Sequence, residues 1–125
     1  MTGSRSPDDP ADVASAVAAC LAGWDAGDEP EQSTLRVAVR GTLRALAVAA
    51  PGRSVEVRVP PLAAVQCVAG PRHTRGTPSA VVETDPRTWL ALATGRDTWP
   101  DAVAEGRVRA SGQRADLRAY LPLLG

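Results

Sequence analysis

The chain has 125 residues, of which 44% are hydrophobic and 22% are charged. A chain of this length fits one domain and can bury a core, which excludes a largely disordered protein. Its fourteen basic and fourteen acidic residues cancel, so nucleic acid or an anionic membrane could be attracted only by a local patch. We expect a disordered N-terminus over residues 1–9 and one domain over residues 10–125.

Two amphipathic helices are predicted in the first half of the chain. The first begins at Pro10 behind the cap Asp9 and is broken by Gly27 and Pro30, and its apolar residues recur at helical spacing. They are Val13, Val17, Cys20, Leu21 and Trp24. The second helix runs from residue 33 or 34 to about Ala50, with an apolar stripe of Leu35, Val39, Leu43 and Leu46.

From Arg53 onward the apolar period changes from helical to two, which predicts strands over residues 54–59, 63–68, 80–84 and 107–111. A helix is predicted to begin at the cap Asp85 with Pro86 in its first turn and to run through Trp89 to Gly95. Further helices are predicted over residues 98–105 and, as a closing helix, over 115–121. This order predicts an α+β fold, a mostly antiparallel sheet of about four to five strands with helices on one face. The expected core includes Val55, Val57, Val65, Cys67, Val81, Trp89, Leu92 and Val108.

Few residues are candidates for catalysis or metal binding. His73 is the single histidine, and it lies with Arg72 and Arg75 in the loop 70–78, which is either an anion-binding loop or an exposed polar connection. Cys20 and Cys67 are 47 positions apart without ligand spacing, so we expect free core thiols and no metal. Since no nucleophile elbow or phosphate-binding loop occurs, we expect no cofactor and no enzymatic activity.

Two further features leave alternatives open. Arg36, Arg40 and Arg44 recur at four-residue intervals on one helix face and either meet acidic headgroups or are simply solvated. The tryptophans either line a ligand cavity or fill the core of a chain that has no phenylalanine. The N-terminus has no apolar signal core and no run is long enough to span a bilayer, so we expect a cytoplasmic protein without stable membrane insertion.

The segment 88–112 resembles the C-terminal half of a sterol carrier protein type 2 domain. An aromatic residue is followed by an apolar run that stops at Thr and Gly, then by a turn with proline, then by a basic and apolar alternation ending in Gly. The matching residues are Trp89, Leu90, Ala91, Leu92, Thr94, Gly95, Pro100, Gly106, Arg107, Val108, Arg109, Ser111 and Gly112. The segments 54–61, 64–67 and 70–78 are similar to an actinobacterial branch of this family.

The resemblance implies a sheet with helices over one face and a hydrophobic tunnel between them. It implies non-covalent binding of a lipid, fatty acyl or sterol-like molecule, with no catalytic residues. The expected cavity residues are Val57, Val65, Cys67, Val81, Trp89, Leu92, Trp99 and Val108, and Arg72, His73 and Arg75 would hold a headgroup. The alternatives are a freestanding relative of the accessory domain of mycothiol-dependent maleylpyruvate isomerase-like enzymes, or a protein-interaction module whose partner is unknown.

Overall fold

The computed structural model of the protein describes residues 9–70, 80–112 and 115–124. Within these ranges four helices and four strands are present, together with one short 3₁₀ turn. In chain order they are α1 (Pro10–Asp25), α2 (Gln32–Ala49), β1 (Val55–Val59), β2 (Ala63–Cys67), β3 (Ala80–Thr84), α3 (Pro86–Thr94), α4 (Trp99–Ala104), β4 (Val108–Gly112) and the turn Arg118–Tyr120.

Local capping chemistry starts three of the helices. Asp9 accepts a hydrogen bond from the Ala11 N–H at 2.9 Å at the start of α1, and Asp85 accepts one from Thr88 at 2.8 Å at the start of α3. Thr98 caps α4 in the same way, and each of the three helices has proline in its first turn. These helices begin where the sequence predicts, because the cap and the proline are local signals.

The strands form one sheet in the order β2-β1-β3-β4. The outer pairs β1–β2 and β3–β4 are antiparallel, whereas the central pair β1–β3 is parallel. The prediction of an α+β fold with a mostly antiparallel sheet of about four to five strands is therefore confirmed, and the described sheet has four strands in mixed orientation.

One face of the sheet carries the core. Val55, Val57 and Val59 of β1 are fully buried, and the register pairs Val57 with Val65 of β2 and with Val82 of β3. The apolar stripes of α1 and α2 belong to the same continuous cluster. The opposite face carries charged pairs such as Arg58 with Glu56, whose atoms lie 2.6 Å apart. One face is thus apolar and covered, and the other is polar.

Val81 lies on the opposite side of the sheet from the position that the sequence predicts. Its partner in the register is Glu56, while its neighbours Ala80 and Val82 are buried beside Val55 and Val57. Because successive side chains of a strand alternate between faces, burial of Val82 turns Val81 outward. Val81 is therefore half-buried on the polar face and is not a member of the core cluster.

The prediction of a closing helix over residues 115–121 is wrong. Among residues 115–124 only the three-residue turn Arg118–Tyr120 is helical. The chain then passes beneath the end of α3, where the N–H groups of Leu123 and Leu124 donate to the Ala93 carbonyl at 2.8 and 2.9 Å. A carbonyl in the last turn of a helix has no partner within the helix, so this segment satisfies it while Leu117 stays fully buried.

No helix in the described ranges combines the length and the apolar composition that are required to cross a bilayer.

Candidate functional site

The predicted cavity residues lie mainly inside the core. Val57, Cys67, Trp89 and Leu92 are at most 1% exposed, and Trp99 and Val108 are also buried. Val65 is half-buried on the edge strand β2 and packs against the same cluster, while Val81 lies on the other face. The structure thus groups seven of the eight predicted residues on the covered side of the sheet. The predicted headgroup residues Arg72, His73 and Arg75 lie outside the described residues.

Trp89 is the largest fully buried side chain of the described core. Its indole N–H donates to the Thr42 hydroxyl at 2.7 Å, and that hydroxyl donates to the Ala38 carbonyl at 2.7 Å. A buried indole N–H that lacks an acceptor would be costly, so this relay fixes α3 against α2. The contacts of Trp89 are those of a structural anchor.

A recess of about 270 Å³ lies where the C-terminal segment crosses the α3–α4 connection. Two predicted cavity residues, Leu92 and Trp99, form part of its wall, and Leu121 and Pro122 lie across from them. Asp97 is at its rim, where the Arg107 guanidinium lowers the pKa of the Asp97 carboxyl by a direct hydrogen bond. The Asp97 carboxyl at the rim therefore stays ionised, whereas Leu92, Trp99, Leu121 and Pro122 make the wall apolar.

A larger apolar groove of about 440 Å³ lies between α1, α2 and the C-terminal segment. Its size is within the usual range for small-molecule pockets. The residues that line this apolar groove are Pro10, Val13, Gly41, Arg44, Ala45, Val48, Ala49 and Leu124. Arg44 is the single charged residue among them, so the groove offers apolar surface with one cation at its side.

Gly41 shapes this groove because it lets α1 approach α2 closely. A Cβ atom added at Gly41 would lie 2.3 Å from a methyl carbon of Val13. Glycine in a helix interior costs about 0.5–1 kcal/mol relative to alanine, so its presence at this crossing has a packing reason. The floor of the groove is therefore the line where the two helices meet.

A second, more polar recess lies on the other side of Arg44. It has a volume of about 280 Å³ and is lined by Arg40 and Arg44 of α2 and by Leu62, Ala63, Ala64 and the predicted cavity residue Val65. Arg44 makes other interactions in the structure, and its guanidinium has five donors. Arg44 thus borders both the apolar groove and a recess that contains a second arginine.

The sequence does not predict this groove. Pro10 and Val13 are read there as a helix start and a core residue, and Val48 and Ala49 as the end of a helix. Val48 lies outside the predicted apolar stripe of α2, and the structure shows it 76% exposed. Its position outside the stripe is the sequence signal that could have indicated an apolar surface there.

The two cysteines are buried and free. Burial raises the pKa of Cys20 and raises the pKa of Cys67 to about 11 from 9.0. Within the described ranges no group of three or more His, Cys, Asp or Glu side chains is placed to hold a metal ion. The thiols are therefore neutral at physiological pH and poorly suited to act as nucleophiles.

This protonation predicts that the native thiols resist an aromatic disulfide reagent. At about pH 8 roughly one Cys67 thiol in a thousand is ionised, so we expect the folded protein to react at least about a hundredfold more slowly than the urea-unfolded chain.

The raised pKa of Cys67 also predicts how stability depends on pH, because the folded state keeps a proton that the unfolded chain releases near pH 9.0. Stability from Cys67 is thus complete below that pH and is lost as pH rises to about 11. The Cys67→Ala variant should lack this loss of stability at high pH. Rapid reaction of the native thiols with the disulfide reagent would contradict the prediction of slow reaction.

Residues 31–123 match a family model described as "Bacterial SCP ortholog", where SCP denotes sterol carrier protein. The chain belongs to this family. The match begins just before α2 and includes the sheet, α3, α4 and most of the C-terminal segment, while α1 lies outside it. The resemblance inferred from residues 88–112 is thereby confirmed. No curated protein matches the chain.

Proposed function

We propose that the protein binds a lipid, a fatty acyl chain or a sterol-like molecule non-covalently and releases it unchanged, in the cytoplasm. The sterol carrier family suggests a carrier role. The observation that carries the proposal for this chain is the apolar groove between α1 and α2, because it offers an open apolar surface of pocket size.

The groove favours an amphipathic ligand. Burying hydrocarbon gains about 0.8 kcal/mol for each methylene, so a segment of about ten carbons supports micromolar binding after the costs of association. A tail along Gly41 and Ala45 would leave an anionic headgroup beside Arg44 and Arg40, which border the adjoining recess. The loop residues Arg72, His73 and Arg75 remain proposed as further headgroup contacts.

Non-catalytic binding is favoured over thiol-dependent chemistry. The two thiols of this chain are buried and protonated, which argues against chemistry by its own cysteines. In the accessory-domain alternative mycothiol would supply the thiol, so turnover of a thiol-dependent substrate by the protein alone is the result that would support it. An interaction module remains the second alternative. It predicts that the wild-type protein binds no amphiphile and co-purifies with a protein partner in a fixed ratio.

The test is to fill the groove without disturbing the core. Ala49 is the last residue of α2, is exposed and lines the groove, so Ala49→Trp should occupy the groove and leave the fold intact. We expect wild-type protein to bind a dansyl-labelled fatty acid with micromolar affinity, and Ala49→Trp to weaken it at least about tenfold. Fluorescence titration measures both affinities, and thermal unfolding checks that the variant is folded.

Ala104→Trp is the matched control, because Ala104 is also an exposed last residue of a helix and lines none of the three recesses described above. It should bind the labelled fatty acid as wild type does. Undiminished binding by Ala49→Trp would move the site to the predicted interior beside Trp89 or to the recess at Leu92 and Trp99. No binding by wild type of either the fatty acid or a fluorescent sterol would overturn the proposed function.

A further inference from the structure

A polar recess of about 390 Å³ lies at the end of the sheet where β1 and β3 finish. Five of its lining residues mark this place in the chain: Pro60 follows β1, Thr84 and Asp85 close β3, and Gly106 and Arg107 precede β4. Its volume is within the usual range for small-molecule pockets, and it shares no lining residue with the apolar groove. We call it the sheet-end recess.

The strand order explains why a recess forms at this end of the sheet. β1 and β3 are parallel neighbours, so their carboxyl ends lie side by side. From β1 the chain turns to β2 on one side, and from β3 it passes through α3 and α4 to β4 on the other side. Where neighbouring parallel strands send the chain in opposite directions, a crevice forms outside their carboxyl ends, and open α/β sheets bind ligands there. The sheet-end recess lies at this point of the described sheet.

Two charged side chains that line the sheet-end recess have no charged partner. Glu83 and Arg109 are register partners on β3 and β4, yet neither makes an ion pair in the described parts of the chain. On the other side of Glu83 its register partner is Arg58, which is bonded to Glu56 at 2.6 Å. Directly opposite residues of an antiparallel pair have Cα atoms about 4.5–5.5 Å apart, so a carboxylate and a guanidinium border the recess side by side.

The other charged groups of the sheet-end recess are already engaged. Both carboxylate oxygens of Asp85 accept hydrogen bonds from Thr88 at the start of α3, each at 2.8 Å. The Arg107 guanidinium is bonded to Asp97 and, at 2.6 Å, to Glu105. One carboxylate and one guanidinium on neighbouring strands therefore remain for a ligand.

We infer that the sheet-end recess binds a small zwitterion, a molecule that carries an ammonium group and an oxyanion. The ammonium group would donate to Glu83, and a carboxylate or phosphate would accept from Arg109, whose guanidinium offers a fork of parallel donors. A ligand with negative charge alone would face the carboxylates of Glu83 and Asp85. A ligand with positive charge alone would face the guanidinium groups of Arg107 and Arg109. Opposite charges on one molecule satisfy both free groups.

The first test uses two zwitterions, 4-aminobutyrate with a carboxylate and phosphoethanolamine with a phosphate. Amide chemical shifts of the nitrogen-15-labelled protein measure binding, and Thr84 and Gly106 are reporters inside the recess. We expect at least one zwitterion to bind with a Kd of about 1 mM, and the tighter one identifies the oxyanion. Butyrate and butylamine, or phosphate and ethanolamine, should bind at least about tenfold more weakly than the matching zwitterion, because each loses one charged hydrogen bond.

The second test removes the two free charges one at a time. Glu83→Gln and Arg109→Gln should each weaken the tighter zwitterion at least about tenfold. Glu31→Gln and Arg53→Gln are the matched controls, because Glu31 precedes α2 without a side-chain cap bond and Arg53 precedes β1 at the opposite end of the sheet. Both controls lie more than a Debye length from the recess and should leave the affinity within about twofold.

Each opposite result overturns the inference. Equal binding of a zwitterion and one of its singly charged analogues would mean a simple anion or cation site. Unchanged affinity in either Glu83→Gln or Arg109→Gln would place the ligand elsewhere, and no shift at about 10 mM, tenfold above the expected Kd, would mean that no such site exists.

The inference goes beyond the proposed function because the sheet-end recess needs neither the apolar groove nor a lipid. Glu83→Gln should still bind the dansyl-labelled fatty acid, and Ala49→Trp should still bind the zwitterion. Loss of zwitterion binding with fatty acid binding intact, or the reverse, therefore shows which of the two proposals fails.

Discussion

Replacing Trp89 by alanine is expected to lower the free energy of unfolding by about 3–5 kcal/mol. The indole is 1% exposed and is the largest fully buried side chain described, so alanine would leave a large cavity. The Thr42 hydroxyl, which accepts the indole N–H at 2.7 Å, would also lose its donor. Urea unfolding monitored by far-UV circular dichroism measures the loss, because this signal reports secondary structure and does not depend on the fluorescence of the tryptophan that is removed.

A double-mutant cycle isolates the hydrogen bond from the cavity. Trp89→Phe removes the donor, and Thr42→Val removes the acceptor and leaves a buried N–H unpaired at a cost of about 1–3 kcal/mol. Together the two changes should cost less than the sum of the single changes, since neither partner then remains unpaired. Strict additivity would show that the bond between Trp89 and Thr42 does not form in solution.

The same variants distinguish the two roles that the sequence leaves open for Trp89. If the ligand lies in the apolar groove, Trp89→Phe should change stability and leave the affinity for the labelled fatty acid within about twofold. A large loss of affinity in a folded Trp89→Phe protein would instead place the ligand beside α3, as the family resemblance implies. The stability measurement and the binding measurement together decide between anchor and cavity wall.

The elements that the sequence predicts well are those with local signals. Asp9 with Pro10 and Asp85 with Pro86 mark helix starts by satisfying free N–H groups. Gly95 ends α3 in a left-handed conformation that favours glycine. Burial of Leu35, Val39, Leu43 and Leu46 also follows from spacing alone. In each case the deciding interactions lie within a few residues of one another.

The features that the sequence misses depend on distant parts of the chain. The segment Ala80–Val81–Val82 is apolar at three successive positions, so alternation alone cannot say which valine faces the core. Pairing with β1 decides it. Residues 115–121 have helical composition, yet the segment that follows is fixed by hydrogen bonds from Leu123 and Leu124 to the Ala93 carbonyl at the end of α3. The apolar groove is likewise invisible, because Val13 and Gly41 meet only when α1 crosses α2.

Gly52→Ala is the second change for which we expect a large effect, about 3–5 kcal/mol of unfolding free energy. Gly52 has a φ of 149°, and an added Cβ would lie 2.2 Å from both the carbonyl carbon and the oxygen of Val68. That oxygen cannot move away easily, because it accepts hydrogen bonds from the Ser54 N–H and hydroxyl at 3.0 and 2.6 Å. The clash is therefore with backbone that the turn between α2 and β1 holds in place.

Gly106→Ala is the control that separates this clash from conformational strain. Gly106 also has a positive φ, 75°, but nothing lies within 4 Å of its added Cβ, so its replacement should cost only the strain of a left-handed residue, about 1–2 kcal/mol. Urea unfolding of both variants gives the difference. If Gly52→Ala costs no more than Gly106→Ala, the turn relaxes and the hydrogen bonds to Val68 do not fix it. If it costs at least about 2 kcal/mol more than Gly106→Ala, the junction that joins α2 to the sheet is rigid, and the floor of the apolar groove is held in one fixed orientation on the sheet.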